Sequence, residues 1–480
     1  GEHCMSHRGR FKQALWRFRG MPFDEEENMK ARMAGIFAVG LVMGFAMTAS
    51  AQPNIKASGQ MYVYGAYVDN IGLKKEGDSR ASIANRLRMQ FEIQVQEGLK
   101  LTTRFDAMER VWGEQPAAPA PSPSGSSATM GATNTERNIS WERAYVTFNA
   151  LYGVFDVGYQ QSRAWGTCAF CDDFDSDAGI HYRFLIGPWS VGLEYEKRAD
   201  SGASGEGSRQ GGYTVGGTDN DHDVYHLYAI YRWATGQAGL RYEFDRNATD
   251  GALTSPEYVS AFHELAPYVQ WKTGPFDFEG ELRYIWGKTD FDGSATDVDR
   301  KGYSLYLMGK YTMGAWYGGL EFAWISGDDA NTTDKDESGV PGGQTWDPML
   351  MYGNYWFNKH HGNLGTSRDK TGVLSGPTIF AAGGSELNVV MFKPFVGWKV
   401  SPQLEIVAQY AWLKADETQN GWDDEYGKEF DIYATYKLYN NLSYTMGFGY
   451  FWTGDYFKQG PANVSIDDNY LIMNALNFTF

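Results

Sequence analysis

From Ile83 to Gln96 the chain alternates. Ile83, Leu87, Met89, Phe91, Ile93 and Val95 share one parity, while Arg86, Arg88, Gln90, Glu92, Gln94 and Gln96 share the other. A period of two over this length predicts a β-strand with one apolar and one polar face. Phe276 to Trp286 repeats the pattern, setting Phe276, Phe278, Leu282, Tyr284 and Trp286 against Asp277, Glu279, Glu281 and Arg283. Leu404 to Trp412 does so again. In Phe430 to Leu438 the polar set is Asp431, Tyr433, Thr435 and Lys437. Runs of up to 14 residues exceed the ~5–6 usual in soluble sheets, and a tilted strand needs only ~9–11 residues to cross the hydrocarbon of a bilayer.

The connections alternate in length as well. Tight turns fall at Glu97-Gly98, 150–153, Gly187-Pro188, 234–236, 273–275, Met313-Gly314, 401–403 and Asn440-Asn441. Between them lie polar stretches at roughly 70–80, 113–139, 162–178, 198–221, 247–260, 288–300, 327–387, 415–429 and 453–467. Short turns at one end and long loops at the other describe a transmembrane antiparallel β-barrel of the bacterial outer membrane. Nine loops and eight turns imply 18 strands. Sixteen is the alternative if two weak segments are not strands, and more than 18 would follow if 327–387 holds a hairpin. No repeat of 20–50 residues points to a solenoid or propeller. The apolar parity carries aromatics near strand ends, among them Trp112, Trp233, Trp286, Trp412, Tyr450 and Trp452, as the two interfacial girdles of a barrel require. The last run, Tyr470 to Phe480, also alternates and ends on Phe478 and Phe480, an aromatic terminus of the kind that outer-membrane assembly machinery reads.

Composition sharpens this picture. The 480 residues include 31 Tyr, 28 Phe and 16 Trp, yet mean hydropathy is −0.46 and net charge −17. Such a chain lacks the apolar runs of a helical membrane protein, and its acidity disfavours nucleic acid as a partner. Three Cys in so long a chain exclude a disulfide-dense scaffold. One apolar run stands out, Met33 to Ala49, preceded by Lys30 and Arg32 and followed by Ala49-Ser50-Ala51. A basic start, an apolar stretch and a small-x-small ending predict a signal peptide over 29–51, cleaved near Ala51 on export by the Sec route. Residues 1–28, with Cys4, are then an extension outside the fold, and the barrel occupies 52–480. Removing 1–51 leaves 35 Lys and Arg against 54 Asp and Glu, −19.

Signal segment, alternating strands, unequal connections and terminal Phe480 together resemble the general bacterial porins. The stretch QMYVYGAYVDN and the composition look most like the outer-membrane homotrimeric porins of sulfate-reducing bacteria. The resemblance covers about the whole of 52–480 and rests on no single motif. It implies a homotrimer of water-filled barrels, set in outer-membrane lipid and lipopolysaccharide, that passes small hydrophilic solutes and needs no cofactor. Porins of this kind set a basic ladder on the wall opposite acids on an infolded third loop.

The inward parity of a wide barrel lines water. Arg86, Arg88, Arg104, Arg143 and Arg183 fall on that parity and are the ladder candidates. The third long loop carries Arg163 and the acids Asp172, Asp173, Asp175 and Asp177, which would narrow the pore if the loop folds inward; an exposed acidic loop is the alternative. Cys168 and Cys171 in the same loop are a disulfide candidate in an oxidising compartment. A redox pair would need a thioredoxin-like βαβ unit, and haem attachment a His in place of Asp172. Asp173, Asp175 and Asp177 could hold Ca²⁺, though the EF-hand glycine and terminal Glu are missing, so solvated acids and no metal are expected. His360-His361, and the pair His222 and His226, are also conceivable ligands. His222 and His226 are the only strand-borne bases a hydrolase could use, and no nucleophile motif accompanies them. Residues 346–365, with Trp346, Tyr352, Tyr355, Trp356 and Phe357, are too apolar for a free loop. They fold over the mouth, pack on a neighbouring subunit or offer a stacking surface for sugars. Acidic loops at Asp328-Asp329, 334–337 and 423–425 concentrate cations at the mouth, so passive diffusion with weak cation preference is the function expected. A substrate-specific channel for sugars or organic acids is the alternative.

Overall fold

The computed structural model describes residues 53–480 except 76, 78, 114–138, 162–164, 168, 171–175, 200–220, 250–256, 294, 344–345, 362–363, 366, 369–373 and 376–386. The expected signal peptide over 29–51, the expected 1–28 extension, Arg163, both loop cysteines and Asp172, Asp173 and Asp175 therefore lie outside the described residues. Eighteen long strands form the wall. They are β1 (Asn54–Val68), β2 (Arg80–Gln96), β3 (Leu99–Val111), β4 (Ile139–Ala150), β5 (Gly153–Gln161) and β6 (Ser176–Ile186). Next come β7 (Trp189–Ala199), β8 (His222–Trp233), β9 (Gly236–Asn247), β10 (Tyr258–Thr273), β11 (Phe276–Phe291) and β12 (Val298–Met313). The last six are β13 (Trp316–Ile325), β14 (Val389–Lys399), β15 (Leu404–Lys414), β16 (Glu425–Tyr439), β17 (Leu442–Thr453) and β18 (Asn469–Thr479).

Each strand pairs antiparallel with its neighbours in sequence, and β1 pairs with β18, Met61 opposite Phe478, so the sheet closes on itself with no free edge. Closure satisfies every ladder position in a solvent that offers no hydrogen bonds. The strand number is 18, not 16. The eight turns and nine long connections come where the alternation ends. Ser367–Arg368 does pair with Leu374–Ser375 inside the longest loop, but this two-residue hairpin is outside the barrel sheet. The terminal Phe480 exchanges backbone hydrogen bonds with Gly59 at 2.9 and 3.1 Å and stacks on Phe478 at 5.5 Å.

The two parities separate as the alternation demands. Along β11, Phe276, Phe278 and Leu282 are exposed on the outer face, while Glu281 and Arg283 are buried on the inner one. Outward aromatics run in a band near the loop ends: Tyr195 to Tyr225 (5.3 Å), Phe244 to His263 (5.0 Å), His263 to Trp286 (5.4 Å), and Tyr284 to Tyr303 (4.9 Å). A second band near the turns holds Trp316 stacked on Trp398 at 4.9 Å and Phe276 against Tyr311 at 4.9 Å. Rings with an apolar body and a polar tip suit these two depths.

The main apolar core lies inside the barrel. Met349, Met351, Tyr352, Phe357 and Leu364 of the 326–388 loop are buried with Tyr64, Val68, Met391, Leu413, Leu471 and Met473 of the inner wall. This loop therefore packs on the inner face of its own barrel. Its described residues include one short helix, α1 (Tyr355–His361), whose Phe357 N–H donates to Oδ1 of Asn354 at 2.9 Å, a side-chain cap on the otherwise unmet first turn.

Candidate functional site

Two loop segments enter the lumen, and each finds a different kind of wall. The first, 165–170, belongs to the third long loop. Trp165 is buried against Tyr228 and Tyr268, with ring centroids at 5.7 and 5.1 Å, and its Nε1–H donates to the Ala266 carbonyl at 2.9 Å. Glu281 Oε2 accepts the Thr167 N–H at 2.5 Å and the Thr167 hydroxyl at 2.9 Å, while Oε1 accepts from Arg283 Nε at 2.6 Å. Arg283 also donates to Glu264 Oε1 at 2.7 Å and to the Phe170 carbonyl at 3.0 Å. Arg241 reaches Glu264 Oε1 at 3.2 Å. Buried charge is tolerable here because each group named is both paired and hydrogen-bonded. Gly166 makes the approach possible: its φ is +76°, and a Cβ would stand 2.1 Å from Glu281 Oε2.

The second segment, 346–365, meets β14, β16 and the seam at β1 and β2. Glu429 accepts the N–H groups of Met351 and Tyr352 at 2.8 and 2.9 Å, and Asp431 accepts that of Leu350 at 2.9 Å. Lys393 donates to the Pro348 carbonyl at 3.0 Å and pairs with Glu321 at 2.9 Å. The two segments touch: Gly343 N–H donates to the Ala169 carbonyl at 2.8 Å, and Phe170 faces Trp346 at 6.5 Å. Asp347 keeps surface toward the lumen although protein encloses it. That enclosure pushes its carboxyl up to about 6, against the Tyr355 N–H, which donates to it at 2.7 Å, and the Lys393 charge.

The ladder candidates all lie on inward parity, but not as a bare row of cations. Arg88 grips Asp106 through Nε and Nη2 at 2.7 and 2.6 Å; the two residues are register partners on β2 and β3. Arg86 is 3.8 Å from Asp106 and 4.0 Å from Glu109, and Arg104 is 3.5 Å from Glu142. Arg143 is half-buried opposite Arg104, and Arg183 half-buried on β6 opposite Val154. What faces this wall is α1. Trp356 stacks on Tyr62 at 4.2 Å and covers the Arg86 guanidinium at 4.7 Å, and Lys359 pairs with Glu109. The described part of the third loop meets β8–β11 instead. Asp177, the one described acid of that loop's candidate set, sits at the start of β6 with Arg198 Nε 3.6 Å away. His222 has Asp245 at 2.9 Å, and His226 has Glu196 and Glu243 at 3.6 and 3.2 Å.

A family model described as Gram-negative porin matches residues 38–358, two thirds of the chain. The chain belongs to the Gram-negative porins. It is thus an outer-membrane channel, and the inner parity of its strands lines the conduit. No curated protein sequence matches this porin. Among solved structures, OccK8 (OprE) of Pseudomonas aeruginosa is similar at 12% identity and a TM-score of 0.48, covering 89% of this chain and 98% of that one. OccAB4 of Acinetobacter baumannii is 11% identical with a TM-score of 0.48, covering 90% and 100%. An anion-selective porin from Comamonas acidovorans is 12% identical with a TM-score of 0.42, covering 89% and 100%. At identities this low, nothing about solute or selectivity passes from them to this porin.

Several groups at the site are invisible to a search by strand. Asp106, Glu109 and Glu142 stand next to the arginines only through register, and Glu264 joins Arg283 from the neighbouring strand. The parity of Glu281, Arg283 and Asp431 was readable; their hold on loop segments was not.

Proposed function

We propose that this porin passes small hydrophilic solutes and ions by passive diffusion, through a lumen that the 165–170 and 346–365 segments narrow. The observation that carries the reading is a closed barrel with a charged inner parity and two docked segments in contact across its interior. Arg86, Arg88, Arg104, Arg143 and Arg183 would line the passage. Because acids on the same wall partner the first three, they supply a local field rather than a strong anion filter. With the acidic loops and a net charge of −17, weak cation preference follows at low salt, fading as the Debye length shrinks to ~3 Å near 1 M.

The resemblance to homotrimeric porins of sulfate-reducing bacteria supports a trimer in outer-membrane lipid and lipopolysaccharide, exported by the Sec route, with Phe478 and Phe480 as the assembly signal. Arg163 and the acids Asp172, Asp173, Asp175 and Asp177 remain constriction candidates, and Cys168–Cys171 a staple of that loop. The reading assigns no enzymatic role: the described neighbours of His222 and His226 are carboxylates in an ion-pair network. It also needs no Ca²⁺, since the described member of the Asp set, Asp177, has an arginine for a partner. Trp356 over Arg86 favours a second reading, a channel that selects solutes joining an anionic group to a stackable ring or sugar face. Planar-bilayer recording under a salt gradient tests the proposal. Stepwise openings with three-step closure and a cation-directed reversal potential are expected. An anion-directed potential overturns the selectivity, absence of conductance overturns the channel, and saturable block by an organic acid or sugar replaces passive diffusion by the second reading.

A further inference from the structure

Around most of the wall the lipid-facing parity is apolar between the aromatic bands. It presents Leu193 on β7, Leu227 on β8, Leu240 on β9, Leu307 on β12 and Leu320 on β13, each about half exposed. Asn474 departs from this pattern. It shares the outer parity of β18 with Ile472 and Leu476, and it is exposed. Tyr470 and Phe478, on the same parity, lie four residues to either side, so ~13 Å of strand separates the amide from each aromatic band. Its register partners are Gly65 on β1 and Met446 on β17. Gly65 has no side chain to offer, and a Cβ there would stand 3.1 Å from Asn474 Nδ2. Among the described residues nothing hydrogen-bonds to the Asn474 amide.

Asn85 shows how the same wall treats an amide that it satisfies itself. It stands on the outer parity of β2 opposite Val63, its Nδ2 donating to the Met108 carbonyl at 2.6 Å and its Oδ1 accepting from Trp112 Nε1 at 2.7 Å. Asn474 has no such arrangement. Hydrocarbon chains offer neither donor nor acceptor, so an amide at mid-depth calls for a protein neighbour. Membrane-spanning segments associate where small residues let backbones approach and polar side chains bond across the contact. Gly65 and Asn474 supply both features side by side. We propose that the outer face from β17 through β18 and β1 to β4 is a contact with a second copy of this chain, centred on Asn474. This deepens the trimer reading by assigning the face through which the copies meet.

The chemistry favours a second copy over other occupants. An amide carries N–H donors and an acceptor oxygen, so it is complementary to itself. Near the axis of a closed cyclic assembly equivalent residues meet, and each Asn474 then donates to one neighbour and accepts from the next. A different protein would need a matched polar group at the same depth, which a copy of this chain brings by symmetry. The area is also sufficient. β3 and β4 continue the face with Thr103 and Ala144, two small register partners on the outer parity. Six strands at ~4.8 Å spacing and a hydrocarbon band ~25 Å tall give roughly 600 Å² per copy. The total over both copies, about 1,200 Å², reaches the lower end of stable specific interfaces.

Photocrosslinking of the full barrel in liposomes tests the face. A benzoylphenylalanine replacing Ile472, beside Asn474, should link to a second copy, and the same group replacing Leu227 on β8 should link to lipid alone. Light scattering of the folded protein in mild detergent gives a second readout. Asn474→Leu, whose side chain suits hydrocarbon, should raise the subunit dissociation constant at least tenfold. Asn474→Gln keeps the amide and should stay near the unaltered value. Folding of each variant is checked by its heat-modifiable migration, and if Asn474→Leu does not fold, the crosslinks at Ile472 and Leu227 decide. Links from Ile472 to lipid or to a different protein only, or dissociation unchanged in Asn474→Leu, overturn the proposal. A multimer linked at Leu227 and not at Ile472 overturns this face and leaves the trimer reading standing. A monomer overturns both, and channel conductance is independent of either result.

Discussion

The two inward segments make the same excursion and are held by different physics. Residues 165–170 are fastened by side-chain charge: one carboxylate, Glu281, serves both Thr167 and Arg283, and Gly166 leaves room for it. Residues 346–365 are fastened by apolar burial, with Glu429 and Asp431 collecting three backbone N–H groups beneath a layer of Met, Tyr and Phe. The first dock gathers its charged contacts at one node beside the buried ring of Trp165, and the second spreads its contacts over many residues. A concentrated dock fails all at once when its node is removed. A distributed dock loosens by degrees.

The sharpest way to break this comparison is Glu281→Ala. It leaves Arg283 short of a partner and Thr167 without an acceptor, a cost of about 3–5 kcal/mol for a broken buried pair. Single-channel conductance should rise in one step to a new uniform level, and unchanged conductance would mean that 165–170 does not limit flow. Phe357→Ala removes a fully buried ring for about 3–5 kcal/mol. Because the loss is spread over a larger dock, the expected signature is noisy, flickering current rather than a new level. The double variant Glu429→Gln and Asp431→Asn keeps shape and acceptors, so the three backbone hydrogen bonds should together weaken by about 1 kcal/mol. Proteolysis of the 326–388 loop on the folded barrel should quicken modestly, and an effect as large as that of Phe357→Ala would make the second dock concentrated too.

Asp347 gives the smallest expected effect. Its carboxyl is raised from 3.8 to about 6 in the docked loop, so docking takes up a proton. The stabilisation is complete below about pH 4 and lost as pH rises through about 6. Its water-facing surface keeps the effect modest. Conductance should therefore be slightly lower at pH 4 than at pH 7. Asp347→Asn should flatten that dependence, and an unchanged pH profile would remove Asp347 from the account.

Strand positions were readable because alternation is local: each residue declares its face relative to its neighbours, and a turn declares itself by breaking the alternation. The ladder arginines were placed on the right face for the same reason. Their partners were not readable, since Arg88 meets Asp106 across a register that β-bulges in β2 and β3 shift. The composition of 346–365 showed that it had to be covered. Which surface covered it depended on residues from β1 and β16, hundreds of positions apart in the chain. The third loop was singled out for its acids, yet the described contacts are made by Trp165, Gly166, Thr167 and Phe170, uncharged residues that stand out in no motif.

The sequence by itself determined the barrel, its two faces and the ends at which its loops emerge, and it favoured 18 strands, a number that the closed pairing then fixed. These follow from a period of two and from aromatic placement, and both act over a few residues. Only the tertiary structure decided what fills the lumen, which acid neutralises which arginine, and where imidazole and carboxylates converge. Those outcomes depend on strand register and loop docking, in which groups far apart in the chain come within a few ångströms inside a closed wall.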